Sequence, residues 1–549
     1  MRGGSAGKAW LVPCIAFSGP LIAALVLGLT SAIDARAWSQ LVADTQFAPA
    51  LRLSLWVGAA SAVLALAATL WIVTALHGSV AWQRLQTLLG SALAVPHAAF
   101  AVGLGLLLMP SGMPARGLAL VFDWTTPPDI ATVQDPLGLA LIAGLVLKEI
   151  PFLLWNVAAL QVSQADEIAR QLQTAAAMGY PARTIWWRVL WPQLLPRLML
   201  PLLAVWAYSL TVVDMAVVLG PTRPPTLALL AWVWLLDADE TMNRQGAAAA
   251  LLLTALMALG ALAVAALLRI VRPLLRARRV RGDRPRVSSG AAFAPRALVL
   301  AVLVYAAVLV MLVFVSFAGV WSFPRLLPQA WTVDAWSVVA HSGHTLALTA
   351  GLALCSSAAG LVLALAWMET TPAFWDRRAA PLVFAPMLVP GVLLVVGLYR
   401  LSLSLGLDGS FAGLWLAHSL FTTPYVLVAL APAYRAYDLR FEQTALALGR
   451  SHASFLWQVK WPMLLAPLAA AFAVGFAVSV AQYLSTQFVG AGRFATLTTE
   501  ALTLASGGQR TLTAAFALMQ ALMPAIVFGL ALALGRRQAR HLLRDLGTR

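Results

Sequence analysis

Three ionisable residues lie inside otherwise apolar segments of the chain: Lys148, Glu149 and Asp214. A charged side chain at the centre of a membrane costs at least about 2.5 to 3.5 kcal/mol on insertion scales, so such residues mark a water-filled path or a buried pair. Lys148 and Glu149 are adjacent on a predicted helix and point about 100° apart, so they cannot both face one partner directly. We predict that the three residues line a solute path. The alternative is that Asp214 is neutralised by Lys148, or capped by backbone, and serves packing alone.

Signatures of catalysis are missing from the sequence. We find no nucleophile elbow, no zinc-protease motif and no paired carboxylates suited to hydrolysis. The stretch from Gly3 to Ala9 resembles a phosphate-binding loop, but its glycine spacing is one residue short and Ala9 replaces the Ser or Thr that binds Mg²⁺. The seven histidines form no closely spaced set, and Cys14 and Cys355 lie in separate apolar segments. We therefore expect no catalytic residue, no cofactor and no metal site, and predict that the chain is not an enzyme.

Two copies of one pattern lie in polar gaps between apolar runs. Each copy reads Gln-Thr-Ala, three residues, Gly, nine residues, Val, one residue, Trp-Pro, and the copies occupy 173–192 and 443–462. The register between them continues without a gap to Leu227 and Leu497, which indicates an internal duplication. The residues of interest are Gln173, Thr174, Ala175, Gly179 and Pro192 in the first copy and Gln443, Thr444, Ala445, Gly449 and Pro462 in the second.

The spacing resembles the EAA loop of the permease subunits of binding-protein-dependent ABC importers, which reads Glu-Ala-Ala, three residues, Gly, nine residues, Ile, one residue, Leu-Pro. Both copies depart from it by Gln-Thr-Ala for Glu-Ala-Ala, Val for Ile and Trp for Leu. The resemblance implies that each loop forms a coupling helix docked on a cytoplasmic ATPase. It further implies two ATP-binding subunits that hydrolyse ATP and a periplasmic solute-binding protein as partners. The layout resembles most closely the single-chain permeases of the thiamine and ferric-iron branch, which implies a small solute, thiamine-like, ferric iron or similar.

Aromatic residues follow the glycine of each copy. We interpret them as facing the docked partner: Trp186, Trp187 and Trp191 in the first copy, and Phe455, Trp457 and Trp461 in the second. For the Trp before each Pro, the alternative is an interfacial belt at the membrane surface, where Trp is enriched.

Composition places the chain in a membrane. Hydrophobic residues make up 61% of the 549 residues and charged residues 11%, so we predict a polytopic membrane protein whose polar stretches are too short for an ATPase domain. The net charge is +16, and most of the 37 Lys and Arg residues fall on one side of the predicted topology. We expect contact with anionic lipid and no nucleic-acid binding. The asymmetry predicts that both termini lie in the cytoplasm. The resemblance implies that the membrane is the bacterial inner membrane.

Apolar runs long enough to cross a membrane predict the fold class: an all-α polytopic membrane protein of about twelve spans, arranged as two parallel six-helix repeats. The predicted spans are 10–31, 51–76, 88–110, 138–160, 196–219 and 247–271, then 297–319, 344–368, 380–402, 412–433, 464–488 and 514–535. We predict a first permease half at 1–272, a basic cytoplasmic linker at 273–294 and a second permease half at 295–549.

Prolines inside the spans recur as well. Pro96 and Gly103 in the third span correspond to Pro390 and Gly397 in the ninth, which indicates that these helices pack centrally. We expect the first span of each half to be a peripheral extra helix. A six-plus-six repeat also fits an ion-gradient-driven secondary transporter, which is the alternative function. A membrane scaffold without transport activity would leave the repeated loops unexplained.

Overall fold

The computed structural model describes residues 11–280 and 293–547. Much of the predicted linker lies outside these residues. Both ends of the chain lie outside them too, and the predicted cytoplasmic location of the termini concerns those ends. Within them the secondary structure is helical apart from a single bridge between Ala318 and Trp331. The prediction of an all-α membrane protein is confirmed.

Fourteen α-helices precede residue 281. They are α1 (Leu11–Ser31), α2 (Ala35–Ala43), α3 (Phe47–Leu76), α4 (Val80–Ala94), α5 (His97–Leu108), α6 (Met113–Phe122), α7 (Leu139–Ser163), α8 (Ala165–Ala177), α9 (Ala182–Ile185), α10 (Trp191–Leu194), α11 (Met199–Thr211), α12 (Asp214–Leu219), α13 (Leu227–Leu235) and α14 (Glu240–Val280). A π-helical turn, Trp186–Leu190, connects α9 to α10, and a 3₁₀ turn, Leu195–Leu198, connects α10 to α11.

Fourteen more follow residue 292. They are α15 (Phe293–Ser316), α16 (Asp334–His341), α17 (Gly343–Thr370), α18 (Ala373–Val383), α19 (Ala385–Leu388), α20 (Gly391–Ser404), α21 (Phe411–Arg435), α22 (Arg440–Ala447), α23 (His452–Phe455), α24 (Trp461–Met463), α25 (Leu465–Ala481), α26 (Leu484–Val489), α27 (Leu497–Ser506) and α28 (Arg510–Gly547). A second π-helical turn, Leu456–Lys460, connects α23 to α24.

The second series repeats much of the first in order and in register. Helix α26 begins 270 residues after α12, at Leu484 and Asp214, and α27 begins the same distance after α13, at Leu497 and Leu227. The two π-helical turns are related by the same offset. The helix order therefore follows the duplicated sequence, while the exact boundaries of the halves stay a prediction.

The number of uninterrupted spans is smaller than predicted. Among the described residues, ten helices are long and apolar enough to cross a membrane, or eleven if one bent pair counts as a span. The predicted span 380–402 is divided near Pro390, because proline has no N–H and disfavours helix in the residue before it, which leaves α20 only 14 residues long. The predicted span 464–488 belongs to the bent pair, in which α25 makes an angle of 78° with the helical segment before it.

The first helix of each series packs on the other half. Helix α1 lies against α20 and α15 lies against α5. A Cβ atom added to Gly397 would stand 1.7 Å from the carbonyl oxygen of Ala24, and one added to Gly103 would stand 2.8 Å from that of Val308. Small residues permit such close helix crossings in membranes. Both helices are therefore built into the contact between the halves, while most residues of each stay partly or fully exposed, and their peripheral position stays a prediction.

The apolar core is shared in the same way. Its largest cluster joins buried residues of α1, α13, α20 and α21, among them Leu21, Trp232, Leu393 and Leu430. Because this cluster contains buried residues of both halves, the halves pack against each other through a common apolar core.

A buried arginine of the first half is hydrogen-bonded to the segment that follows α15 in the second half. Arg116 of α6 donates through Nη1 to the carbonyl oxygens of Ser322 and Arg325, at 2.8 and 2.6 Å, and through Nη2 to that of Trp321 at 3.1 Å. Its guanidinium also lies 4.0 Å from the Trp321 ring centroid. Hydrogen bonds to carbonyls satisfy this charge and fix the segment after α15.

Candidate functional site

Each duplicated loop is a helix, a left-handed glycine and a second short helix. Helix α8 is followed by Gly179 with φ +81°, and α22 by Gly449 with φ +75°. The N–H of Tyr180 donates to the carbonyl of Ala175 at 3.1 Å, and that of Arg450 donates to Ala445 at 3.0 Å. Glycine adopts this backbone conformation without the steric penalty that a Cβ brings, which explains its place in both copies.

The polar residues at the start of each pattern point outward. Gln173, Thr174, Gln443 and Thr444 are exposed, as are both glycines, whereas Ala175 is half-buried and Ala445 buried. Pro192 is half-buried and Pro462 exposed at the ends of the patterns.

Apolar side chains next to the glycines are exposed too. Met178 is 60% exposed and Leu448 is 76% exposed. Together with the exposed pattern residues they give each loop tip a mixed polar and apolar surface suited to a protein contact.

Only one aromatic residue of each copy faces outward. Trp187 and its counterpart Trp457 are exposed, whereas Trp186 and Trp191 are buried within the chain and Phe455 is buried as well. Trp461 is half-buried. The interpretation that all six aromatics face a partner is therefore wrong.

The π-helical turn explains this arrangement. In a π-helical turn the hydrogen bond runs from residue i to residue i+5, which brings residues five apart onto one face. Trp186 and Trp191 are five apart, and their ring centroids lie 5.2 Å from each other. Trp191 Nε1 donates to Thr74 Oγ1 at 2.8 Å, so the loop is fixed to the end of α3. The Trp before Pro is thus an internal anchor in the first copy, and neither a partner contact nor an interfacial belt.

The second loop is anchored by charge instead. Lys460 forms an ion pair with Glu369, at the end of α17, and the Tyr434 hydroxyl donates to the same carboxylate. Trp461 Nε1 donates to the Tyr434 hydroxyl at 3.1 Å. The first loop has Leu190 at the position of Lys460, so the two loops reach the membrane helices through different chemistry.

Helical structure breaks at equivalent points in the two halves. Val212 separates α11 from α12 with ψ 132°, and Gln482 separates α25 from α26 with ψ 114°. Non-helical backbone at membrane depth is tolerated where it is buried in protein or lines a water-filled cavity. Such discontinuous helices are typical of solute sites between repeats. The two breaks therefore define the candidate translocation path.

Asp214 stands directly after the first break. Its Oδ1 accepts a hydrogen bond from the Tyr208 hydroxyl at 3.2 Å, and the Tyr208 ring lies 4.7 Å from that of His97. Within the described ranges, Asp214 has no ion pair with Lys148, so the suggested neutralisation by that residue is not what the structure has.

Lys148 is directed to another break. Its Nζ donates to the carbonyl oxygens of Ala92 and Val95, at 3.1 and 2.7 Å. Pro96 has no N–H to donate to Ala92 four residues earlier, and Lys148 supplies a donor in its place. The Tyr305 hydroxyl is a second donor to the same oxygen, at 2.6 Å. Lys148 thus joins α7 to the junction of α4 and α5, and Pro96 is the sequence signal for this role.

Glu149 follows Lys148 in α7 and is buried. The structure therefore joins Asp214 to Tyr208 and directs Lys148 to the junction of α4 and α5.

His418 is a residue that the sequence pattern did not single out. Its two ring nitrogens lie 2.9 Å from Ser479 Oγ and 3.0 Å from Thr486 Oγ1, and all three residues are buried. Because Ser479 precedes and Thr486 follows the second break, His418 bridges it. A single histidine in an apolar run gives no signal of such a bridge.

Broken central helices between duplicated halves, with a matched exposed loop in each half, define a multi-pass membrane transport protein. The family model for the binding-protein-dependent transport system inner membrane component matches residues 356–540. The inner membrane ABC transporter permease protein YnjC of Escherichia coli (strain K12) is 36% identical over 526 residues, which cover 95% of this chain and 94% of that protein. The chain belongs to this family of ABC importer permeases.

A more distant relative matches one segment. The spermidine/putrescine transport system permease protein PotC of Haemophilus influenzae is 26% identical over 113 residues, 21% of this chain and 44% of that protein. As a member of the permease family, the chain is a multi-pass inner-membrane protein whose partners are ATP-binding and substrate-binding proteins, and permeases of this kind are not themselves enzymes.

Proposed function

We propose that this chain supplies both membrane halves of an importer and that two ATP-binding subunits dock on the loops at 173–192 and 443–462. Hydrolysis of ATP on those subunits drives a small solute inward after a periplasmic solute-binding protein delivers it to the opposite face. The positive-inside asymmetry supports a cytoplasmic position for both loops and both termini.

The observation that carries this proposal is the matched geometry of the two loops. Each has the same left-handed glycine, exposed Gln and Thr before it and an exposed Trp eight residues after it. Two equivalent surfaces suit two copies of one partner. Rigid anchors under each loop, Trp191 in the first and Lys460 in the second, would transmit motion of the partner to the membrane helices.

The solute path follows the two broken helices. We assign Asp214 and Glu149 to this path, and we assign Lys148 to holding the helix junction beside it. The resemblance to thiamine and ferric-iron permeases supports a thiamine-like solute, ferric iron or a similar small solute. The relative PotC is named for spermidine and putrescine, which are organic cations, and this supports a positively charged solute.

Reconstitution in proteoliposomes tests the transport proposal. The chain is reconstituted with or without its ATP-binding subunits, and uptake of solute from the loaded binding protein is measured with ATP on the side of the duplicated loops. We expect uptake only when both the ATP-binding subunits and ATP are present. Uptake by the chain alone, driven by a proton or sodium gradient, would favour the secondary-transport alternative and contradict the proposal.

A further inference from the structure

The second helix break is held by a chain of hydrogen bonds that runs through His418. Its Nδ1 lies 2.9 Å from Ser479 Oγ, and its Nε2 lies 3.0 Å from Thr486 Oγ1. The Thr486 hydroxyl donates to the carbonyl oxygen of Gln482 at 2.9 Å, so it accepts a hydrogen bond from Nε2. The neutral imidazole then accepts at Nδ1 from the Ser479 hydroxyl. This chain therefore ends on a carbonyl oxygen beside the break.

Another chain of hydrogen bonds reaches the same break from α27 and α28. Gln520 Nε2 donates to Thr498 Oγ1 at 2.6 Å, and the Thr498 hydroxyl donates to the carbonyl oxygen of Val480. Gln520 and Thr498 are both fully buried. Val480 and Gln482 lie on either side of Ala481, the last residue of α25. Both chains thus supply donors to backbone oxygens at the point where the helix stops.

The first break lacks these hydroxyl, imidazole and amide groups. Alanine or leucine stands at four of the equivalent positions: Ala216 for Thr486, Ala228 for Thr498, Ala250 for Gln520 and Leu145 for His418. The three alanines follow from the offset of 270 residues, and Leu145 follows when α7 and α21 are aligned at Pro151 and Pro424. All four residues are buried, so they occupy interior positions like those of their polar counterparts.

Ser209 shows the consequence of this difference. It is the equivalent of Ser479, and its hydroxyl is buried without a hydrogen-bond partner in the part of the chain that the structure describes. The first break is crossed by the hydrogen bond from Tyr208 to Asp214, which at 3.2 Å is long for two oxygen atoms. The two breaks have equivalent places in the fold and unequal support.

We propose, on the basis of the transport function above, that His418 and Gln520 are positioning residues that keep the second break rigid, and that the first break is the point where the solute path changes shape during transport. Segments that move in a functional cycle are drawn from the less stable parts of a structure. The first break has fewer hydrogen bonds to lose. The halves are therefore repeated in sequence but mechanically unequal.

Hydrogen–deuterium exchange of the full chain in nanodiscs tests this inequality without any partner protein. Exchange rates are measured for peptides that cover 212–216 and 482–486, and each is divided by the rate of the same sequence when unstructured. We expect the first break to exchange at least about tenfold faster than the second. Equal corrected rates, or faster exchange at the second break, would overturn the proposal.

Two variants place first-half residues in the second half: His418→Leu and Gln520→Ala. Each removes one chain of hydrogen bonds, so exchange at 482–486 should rise at least about fivefold while exchange at 212–216 stays unchanged. His418→Gln should retain most of the protection, because its amide also donates and accepts. Thr423→Val is the matched control, since Thr423 is buried in the same helix as His418 and its hydroxyl donates to Ser419 in that helix.

The control should exchange like wild type at both breaks. Unchanged exchange at 482–486 in His418→Leu and in Gln520→Ala would remove both residues from the support of the break. A rise of similar size at both breaks would show that the two chains stabilise the fold as a whole, and it would overturn their assignment to the second break.

The complete importer, trapped with ATP and vanadate, shows which break moves. Exchange at 212–216 should differ at least about threefold between the resting and the trapped complex, and exchange at 482–486 should not. No change at the first break, or an equal change at the second, would overturn the assignment of movement. If the wild-type complex takes up no solute with ATP, the transport proposal fails instead, and the exchange ratio of the chain alone is unaffected.

Discussion

Gly397 of α20 lies directly against the backbone of Ala24 in α1, although the two residues belong to different halves of the chain. A Cβ atom at Gly397 would stand 1.7 Å from the Ala24 carbonyl oxygen, far inside van der Waals contact. In the equivalent contact, Gly103 of α5 in the first half lies against Val308 of α15 in the second half. The glycines of the duplicated Pro and Gly pattern are thus the points where each half holds the first helix of the other.

Gly397→Ala should therefore destabilise the protein. We expect a loss of about 1 to 3 kcal/mol or more, because the added methyl group forces α1 and α20 apart. Gly529→Ala is the matched control, since Gly529 is also a helical glycine and no described atom comes within 4 Å of its added Cβ. That variant should be neutral or slightly stabilising. Thermal unfolding in detergent measures both, and equal midpoints would contradict the close crossing.

Lys148→Met should lower stability rather than alter solute selection. Removing the ammonium group takes a donor from the buried carbonyls of Ala92 and Val95, which costs about 1 to 3 kcal/mol. Tyr305→Phe removes the other donor to Ala92 and a long contact at 3.4 Å from Lys148 Nζ to the hydroxyl, and should cost about 1 kcal/mol. Chemical denaturation compares the two variants with wild type. If Lys148→Met unfolds like wild type but changes which solute is taken up, Lys148 belongs to the path instead.

Lys460→Leu places in the second loop the residue that the first loop has at this position, Leu190. It leaves Glu369 largely buried and without its ammonium partner, with His452 Nε2 at 3.8 Å as the remaining basic group, so we expect a loss of about 3 kcal/mol. The double variant Lys460→Leu with Glu369→Met should recover most of that loss, because no unpaired charge remains. A double-mutant cycle on unfolding free energies measures this, and additive single effects would show that the two residues do not interact.

Trp187 and Trp191 should respond to substitution in opposite ways. Trp191→Ala removes a buried ring and its hydrogen bond to Thr74, so we expect a loss of about 3 to 5 kcal/mol in stability. Trp187→Ala alters an exposed side chain and should leave stability within about 0.5 kcal/mol while weakening retention of the ATP-binding subunits. Copurification and thermal unfolding separate the two effects. Retention that is equal in Trp187→Ala and wild type would remove Trp187 from the docking surface.

Apolar runs and duplicated spacing predicted the main architecture because both are local properties of the sequence. Ten long helices lie where hydropathy places spans, and the glycine of each duplicated loop ends a helix in a left-handed conformation. These features depend on residues near one another in the chain, and no tertiary information is needed to find them.

Features that depend on contacts far apart in sequence could not be predicted. No sequence pattern near Lys148 indicates that its ammonium group reaches Ala92. No pattern near Gly397 indicates that Ala24 lies against it. The π-helical turns were not predicted either, because an α-helical period places Trp186 and Trp191 on different faces of the helix. The sequence therefore identified Asp214 as unusual, and only the structure showed that Tyr208 donates a hydrogen bond to it.

Docking of ATP-binding subunits on the two loops is tested most directly by ATP-driven uptake. The proteoliposomes contain Gly179→Arg or Gly449→Arg together with the ATP-binding subunits and the loaded binding protein. Within the described structure nothing lies within 4 Å of a Cβ at either glycine, so steric conflict would come from a docked partner. Gly508→Arg controls for charge and backbone strain, since Gly508 also has φ +76° and open space and lies in the turn between α27 and α28. We expect both loop variants to be inserted in the membrane yet to lose most uptake while ATP hydrolysis becomes uncoupled, and the control to transport normally. Unchanged ATP-driven uptake in both loop variants would contradict the account.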